Sequence, residues 1–274
     1  MNGLNLLLLI KNKTLIYLSA ILYNIWKVYL GIIFVSSLLF FYPILLLFIK
    51  VKSLKKHTFR INILWSRVFR ILSLYAVHIN DFNSKKVDYP CIICANHTSY
   101  LDIFLMYSVL KEHRFLFMGK SEILKYPLVK TFFKGLNIPV YRDDRLKAAK
   151  SFIQAKKSLH EGWSIVIFPE GVIPEETPFL IPFKDGAFKL AKTAKVGVLP
   201  VTFENNYRLF SDPENVLHSA FPGLVKITIH ELINTDTVQE KTIAEINNTV
   251  FHSINHPLPK KVNANEDALN RYSS

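Results

Sequence analysis

The fold is decided by the stretch Pro90-Cys-Ile-Ile-Cys-Ala-Asn-His-Thr-Ser-Tyr-Leu-Asp102. Residues 90–95 are short and apolar, as in a buried strand, and residues 100–110 have the apolar spacing of a helix. A histidine stands where the strand ends, and an aspartate follows five positions later, in the expected first turn of the helix. A strand that leads directly into a helix is typical of α/β domains, whose functional residues gather at the carboxyl ends of strands.

The same alternation of strand and helix patterns continues to residue 255. The strand-like runs are 90–95, 114–118, 137–141, 163–168, 197–203 and 224–230. The helix-like runs are 100–110, 121–134, 144–160, 185–195 and 239–255. This order predicts a layered α/β domain over residues 77–256, with a mixed or parallel sheet flanked by helices.

The first 76 residues are expected to form a membrane-associated, apolar helical segment. Residues 4–10 and 14–26 are apolar, and residues 28–49 contain no charged side chain. A helix of that last length spans roughly 33 Å, about one hydrocarbon core. Three arrangements remain open: one span, two spans that include residues 4–26, or a helical hairpin within one leaflet that breaks near Pro43.

Charge separates this segment from the rest of the chain. The net charge is +13, no Asp or Glu precedes Asp81, and ten Lys and Arg residues lie in the first 80 positions. The basic residues that directly follow the apolar run are Lys50, Lys52, Lys55, Lys56 and Arg60. They predict an inner-membrane protein with its following domain on the cytoplasmic side. The basic excess favours anionic membrane lipids over nucleic acid as a partner.

Two further segments flank the predicted domain. Residues 60–77 mix basic and apolar positions at helical spacing, so this helix either lies on the membrane or packs on the domain. Its candidate membrane-facing residues are Ile63, Trp65, Val68, Phe69, Ile71 and Leu72. At the other end, residues 257–274 begin with two prolines and become polar, which predicts a disordered tail.

The two cysteines, Cys91 and Cys94, have the C-x-x-C spacing of redox motifs. They lie, however, within the apolar run that is predicted to be a buried strand. A separation of three residues in a strand places two side chains on opposite faces of the sheet. We therefore expect both cysteines to be structural and reduced.

The pair His97 and Asp102 can carry general-base chemistry. An aspartate in the first helical turn can accept a hydrogen bond from one ring nitrogen of the histidine, which fixes the tautomer and makes the other nitrogen the base. Such a pair can deprotonate a substrate hydroxyl. Ser99 and Asp102 also have the spacing of a capping box, which is the purely structural interpretation of Asp102.

Other polar residues close or follow predicted strands, where an α/β active site forms. Glu170 and Gly171 follow the strand at 163–168 and have the sequence Phe-Pro-Glu-Gly. The cations that follow apolar runs are Lys120, Arg142 and Lys184. An arginine at such a position has a planar fork that suits a phosphate.

The ordered set NHxxxxD, a strand that ends in arginine, FPEG and FKxGA resembles the 1-acylglycerol-3-phosphate acyltransferase family of glycerolipid acyltransferases. The resemblance covers residues 88–235. It implies that His97 is the general base for a free glycerol hydroxyl and that Asp102 orients it. It further implies that the hydroxyl attacks an acyl thioester directly, with no metal or organic cofactor. The donor would be acyl-CoA or acyl carrier protein.

The same resemblance implies that Arg142 and Lys120 bind the acceptor's phosphate and that Glu170 and Gly171 help to bind the glycerol phosphate. Lys184, a further cation near a tight turn, is an additional candidate substrate-binding residue. Acylation of the sn-2 hydroxyl of 1-acylglycerol 3-phosphate would give phosphatidic acid in phospholipid biosynthesis. The chain departs from the pattern after Gly171, where Val-Ile-Pro replaces the usual Thr-Arg-Ser. Another lysophospholipid or lysolipid acceptor is therefore an alternative. A non-catalytic lipid-binding membrane protein, whose capping box and turns are purely structural, is a second alternative.

Overall fold

The computed structural model describes residues 3–51, 54, 57–81 and 87–260. The helices are α1 Gly3–Lys50, α2 Thr58–Leu72, α3 Leu101–Val109, α4 Pro127–Leu136, α5 Arg145–His160, α6 Gly186–Ala194, α7 Asn206–Leu209, α8 Thr235–Glu240 and α9 Ile243–Asn255. The strands are β1 Tyr75–Asp81, β2 Ile92–Ala95, β3 Phe115–Lys120, β4 Ile138–Val140, β5 Ser164–Ile167, β6 Val198–Phe203 and β7 Gly223–Ile229. The predicted tail lies outside these residues from position 261 onward.

The strands form one seven-stranded sheet in the order β1-β7-β6-β2-β5-β3-β4. Neighbouring strands run parallel except β6 and β7, which are antiparallel. The fold class predicted from the alternating pattern, a mixed sheet flanked by helices behind an apolar N-terminal helix, is therefore confirmed. β2 lies near the middle of the sheet, so its carboxyl end opens at the centre of one sheet edge.

The two faces of the sheet carry separate apolar cores. One core packs α2 and α3 on the sheet and includes Cys91, and the other packs α5, α6 and α9 and includes Cys94. Both cysteines are free and fully buried. Burial raises the pKa of the Cys91 thiol to about 12, and it also raises the pKa of Cys94. The expectation of two reduced, structural cysteines on opposite faces is confirmed.

The N-terminal helix α1 is continuous from Gly3 to Lys50 and includes Pro43. Neither a break near Pro43 nor a second span is present in the described residues, so the hairpin and the two-span arrangements are wrong. Proline removes one backbone hydrogen bond from a helix. Here the residues on either side of it, Phe41 and Leu45, are buried in a cluster with Trp65 of α2, which supports the helix through the proline.

The helix predicted for residues 60–77 ends early. α2 stops at Leu72, Leu74 adopts a left-handed conformation with φ of 53°, and β1 begins at Tyr75. The predicted domain boundary after residue 76 therefore falls inside a strand. Trp65 and Phe69 of α2 are buried in the core and do not lie on a membrane.

Residues that favour helix starts explain two further differences between the predicted and the observed helices. The helix predicted for 121–134 is divided into a 3₁₀ turn, Ser121–Lys125, and α4, which begins with Pro127 at a position that favours proline. The helix predicted for 239–255 begins at Ile243, because Thr242 and Glu245 form a capping box there. The other predicted elements match the structure within a few residues at each end.

Candidate active site

The chain just before the predicted catalytic histidine is fixed by Asn96. Its Oδ1 accepts from the backbone N–H of Phe203 over 2.8 Å, and its Nδ2 donates to the Phe203 carbonyl over 3.0 Å. Because β2 and β6 are adjacent and parallel, this amide holds their carboxyl ends together. His97 follows at the centre of that sheet edge.

The His97 ring and the Asp102 carboxylate are in contact, as the sequence predicts. Nδ1 of His97 lies 2.9 Å from Oδ2 of Asp102, whose side chain is completely buried. The same oxygen accepts from the backbone N–H groups of Thr98 and Ser99 over 2.7 and 3.0 Å. The bond to Ser99 is half of the predicted capping box, so Asp102 both shapes the turn and holds the ring.

A third residue of this arrangement, Asn206, was not predicted. Its Nδ2 donates to Oδ1 of Asp102 over 2.6 Å, and both side chains are buried. Asn206 lies three residues after β6, at the same sheet edge as His97. That position is the only signal in the sequence that could have suggested it.

The ring of His97 also stacks on the ring of Phe168, with centroids 4.2 Å apart and an interplanar angle of 16°. Stacking fixes the plane of the imidazole, and the Asp102 bond fixes its rotation. Because the carboxylate accepts from Nδ1–H, the lone pair is on Nε2. The side chain of His97 is 15% exposed, so this nitrogen can meet a substrate.

Glu170 supports the backbone of the site. Its Oε1 accepts from the N–H of His97 over 2.9 Å, and its Oε2 accepts from the N–H of Ile181 over 3.2 Å. Burial raises the pKa of this carboxyl to about 7, although the two hydrogen bonds oppose the rise. Both oxygens therefore bind protein, which differs from the expected contact with glycerol phosphate.

Two of the predicted cations converge on Gly171. Nη2 of Arg142 donates to the Gly171 carbonyl over 2.6 Å. A Cβ atom at Gly171 would lie 2.7 Å from Arg142 Nη2 and 3.2 Å from Lys184 Nζ. The backbone φ of Gly171 is 77°, a conformation that favours glycine. The glycine thus lets two positive groups approach each other directly beside Glu170.

Lys120 differs from these two cations. It ends β3 and pairs in register with Val140 of β4, so the sheet carries it toward the same edge as Arg142. Its ammonium, however, already forms an ion pair with Glu122 over 3.0 Å, and both side chains are well exposed. Its charge is therefore partly neutralised before any ligand binds.

A cavity of about 1710 Å³ joins these groups to an apolar wall. At its polar end it is lined by His97, Lys120, Arg142, Gly171 and Lys184. Its apolar wall includes Leu30, Phe34 and Leu38 of α1, Trp65 and Phe69 of α2, and Phe104 of α3. An aliphatic chain and an anionic headgroup would each find a suitable surface in the same cavity.

Comparisons with known proteins agree with this geometry. Residues 76–204 match the family model described as Acyltransferase. A 1-acyl-sn-glycerol-3-phosphate acyltransferase of Chlamydomonas reinhardtii is 28% identical over 81% of this chain and 65% of its own length. A chloroplastic protein of the same description from Arabidopsis thaliana is 29% identical over 70% of this chain and 52% of its own length.

The chain therefore spans about half to two thirds of the length of these curated relatives. Among solved structures, the crystal structure of the 1-acyl-sn-glycerophosphate acyltransferase PlsC from Thermotoga maritima superposes with a TM-score of 0.70 at 22% identity. The match covers 86% of this chain and 94% of that one, so the two proteins share their fold over most of each chain.

Proposed function

We propose, from the match of residues 76–204 to the family model described as Acyltransferase, that the chain belongs to that family and is an O-acyltransferase that acts on a lysophospholipid. The acceptor that the relatives' descriptions favour is 1-acylglycerol 3-phosphate, whose acylation at the sn-2 hydroxyl gives phosphatidic acid. The observation that carries the proposal is the pair of His97 and the buried Asp102, which opens into a cavity with both cationic and apolar walls.

The proposed reaction needs one base. Nε2 of His97 takes the proton of the acceptor hydroxyl while the hydroxyl oxygen forms a bond to the thioester carbonyl carbon. The carbon–sulfur bond then breaks, and the imidazolium returns the proton to the thiolate that leaves. Asp102 stabilises the imidazolium formed between these steps. The chain itself is not acylated in this scheme.

The acceptor would be held by its phosphate at Arg142 and Lys184, which converge beside Gly171. Lys120 would contribute after separation from Glu122. The segment after Gly171 is Val-Ile-Pro and carries no further cation, so a different lysophospholipid headgroup is the second candidate. The donor is proposed to be acyl-CoA or acyl-loaded carrier protein, and we assign no metal or organic cofactor.

We further propose that the protein acts at the inner membrane. The part of α1 from Leu15 to Lys50 is long and apolar enough to cross a bilayer. Of the large hydrophobic side chains that the structure describes as exposed, about half lie on this helix. Lys50 and the basic residues that follow it favour a catalytic domain on the cytoplasmic side, in contact with anionic lipids.

The test is a transfer assay with purified protein, labelled acyl donors and a panel of lysolipids. We expect His97→Ala to lose nearly all transfer and still bind vesicles. The matched control is His160→Ala, because His160 is exposed at the end of α5, away from the sheet edge that carries His97. Equal activity of wild type and His97→Ala would refute the mechanism.

The lysolipid panel distinguishes the candidates. A preference for 1-acylglycerol 3-phosphate supports the first acceptor, and a preference for a larger headgroup supports the second. Vesicle binding without transfer to any acceptor, from either donor, would instead indicate a non-catalytic lipid-binding protein.

A further inference from the structure

A lysine within the apolar helix α1 is fixed to a distant loop. Lys27 is only 9% exposed, and its ammonium donates to the carbonyls of Asp212 and Asn215 over 3.3 and 2.6 Å. One turn earlier, Nδ2 of Asn24 donates to the carbonyl of Val216 over 2.7 Å. Three side-chain bonds therefore tie α1 to the segment Asp212–Leu217.

This segment is also ordered by its own hydrogen bonds. The N–H of Glu214 donates to Oδ1 of Asp212 over 2.9 Å, and the N–H of Leu217 donates to Oδ1 of Asn215 over 3.0 Å. Its two adjacent aliphatic side chains, Val216 and Leu217, are nevertheless 61% and 57% exposed. An ordered backbone thus presents apolar side chains outward.

The exposed pair continues an apolar surface on α1. The exposed helix residues three or four positions from Asn24 are Ile21 and Val28. Residues at these spacings adjoin Asn24 on the helix surface, so they border the point where Val216 is held. Single exposed aliphatic residues are ordinary, whereas a contiguous apolar patch marks a contact with protein or membrane.

We propose that the segment Asp212–Leu217 rests on the lipid bilayer beside α1 and inserts Val216 and Leu217 among the lipids. The proposal rests on the membrane association given under the proposed function. A bilayer is the occupant because the patch is continuous with a helix of membrane-spanning length. A lysine at the level of the bilayer is tolerated when its ammonium is hydrogen-bonded, and the ammonium of Lys27 donates to two carbonyl groups.

The position of the segment connects the proposed lipid contact to the catalytic cavity. Lys27, Pro213 and Phe210 line the same cavity as His97. The bilayer surface would therefore meet the protein at the rim of that cavity. A lysolipid could then pass from the membrane to the catalytic histidine without crossing water.

The first test locates the segment without any turnover. Val216→Cys in the full chain is labelled with a polarity-sensitive fluorophore and reconstituted with vesicles of phosphatidylcholine and phosphatidylglycerol. The two native cysteines are fully buried, so the label is selective. The control is Ile153→Cys, a 66% exposed position on α5, which packs on the opposite face of the sheet from α2 and α3.

We expect brominated lipids to quench the label at position 216 and to leave the label at position 153 unchanged. Equal quenching of both labels by aqueous iodide, with no effect of brominated lipid, would overturn the proposal. The readout does not require acyl transfer, so its failure is distinguishable from failure of the proposed function.

The second test adds charge to the patch. Val216→Asp combined with Leu217→Asp should lower transfer to a vesicle-borne acceptor about tenfold or more, because two aliphatic side chains at the cavity rim no longer leave water for the lipid. Transfer to a short-chain, water-soluble acceptor should stay at the wild-type rate, and Ile153→Asp should change neither measurement. Unchanged transfer to the vesicle-borne acceptor, or an equal loss on soluble and vesicle-borne acceptors, would contradict a lipid contact.

Discussion

The side-chain amide of Asn206 donates to Oδ1 of Asp102 over 2.6 Å, while the other oxygen of this carboxylate holds the ring of His97. Asn206→Ala removes this donor from a buried carboxylate. A hydrogen bond to a charged group contributes about 1.5–3 kcal/mol, so kcat should fall about 10- to 100-fold. KM for either substrate should change little, because Asn206 acts through Asp102. Steady-state kinetics with both substrates varied checks this split.

The isosteric variant Asn206→Asp separates positioning from packing. An ionised carboxylate cannot donate to Asp102, whereas a protonated one can, so its kcat relative to wild type should recover as the pH is lowered. The control is Asn205→Asp, because the side chain of Asn205 bonds the backbone of Leu224 and Lys226. A pH profile of Asn206→Asp parallel to that of wild type would argue against the positioning role.

Gly171→Ala should disturb the cation pair. The added Cβ would lie 2.7 Å from Arg142 Nη2 at a residue with φ of 77°. We expect a stability loss of about 1–2 kcal/mol and, separately, a higher KM for the acceptor. Gly162→Ala is the control, since its φ is 83° but its Cβ would meet nothing closer than 3.8 Å. An acceptor KM raised equally in both variants would show that the backbone alone causes the effect.

Arg142→Ala and Lys184→Ala should weaken binding of an acceptor that carries a phosphate. Loss of one charge-assisted bond corresponds to about a 10-fold rise in KM for that acceptor, with KM for the acyl donor unchanged. Arg145→Ala removes a nearby exposed charge at the start of α5 and serves as the control. A rise in donor KM instead would assign these cations to the donor and contradict the proposed acceptor site.

Glu170 should make stability depend on pH. Its pKa is raised to about 7 in the folded protein by burial, whereas it is near 4.5 in an unfolded chain. The stabilisation is therefore complete below about pH 4.5 and is lost as the pH rises through 7. Glu170→Gln cannot ionise, so the stability of wild type relative to this variant should fall by the order of 1–3 kcal/mol between these pH values.

Thermal unfolding of both proteins across this pH range measures the effect. The exposed Glu175 provides the matched control variant Glu175→Gln. A difference between wild type and Glu170→Gln that is constant with pH would show that the carboxyl does not titrate in this window.

The elements that depend on local pattern could be predicted from the sequence. β2 to β7, α3, α5 and α6 were predicted within a few residues, because each has its own apolar periodicity and a clear turn at its end. The His97–Asp102 contact was also within reach, since both residues belong to one strand-to-helix turn. For the same reason the opposite faces of Cys91 and Cys94 followed from strand geometry alone.

The features that depend on distant residues could not be predicted. Asn206 meets Asp102 across 104 positions of sequence, and no local pattern marks it. The sequence pattern assigned the first residues of β1 to the preceding helix, because the strand conformation of β1 depends on its pairing with β7. The continuity of α1 through Pro43 depends on packing against Trp65 of α2. The sequence of α1 alone carries no information about this contact.

The pairing of β1 with β7 also determines when this protein can complete its fold. Tyr75 pairs with Gly223 and Asp81 pairs with Ile229, so the two strands leave the ribosome about 150 residues apart. During that interval β7 is missing, and the sheet lacks the strand that joins β1 to β6. The long-range closure of this sheet is therefore a late step of biogenesis. A nascent chain that is already held at a membrane by α1 would form this strand pairing next to the membrane surface at which the folded protein acts.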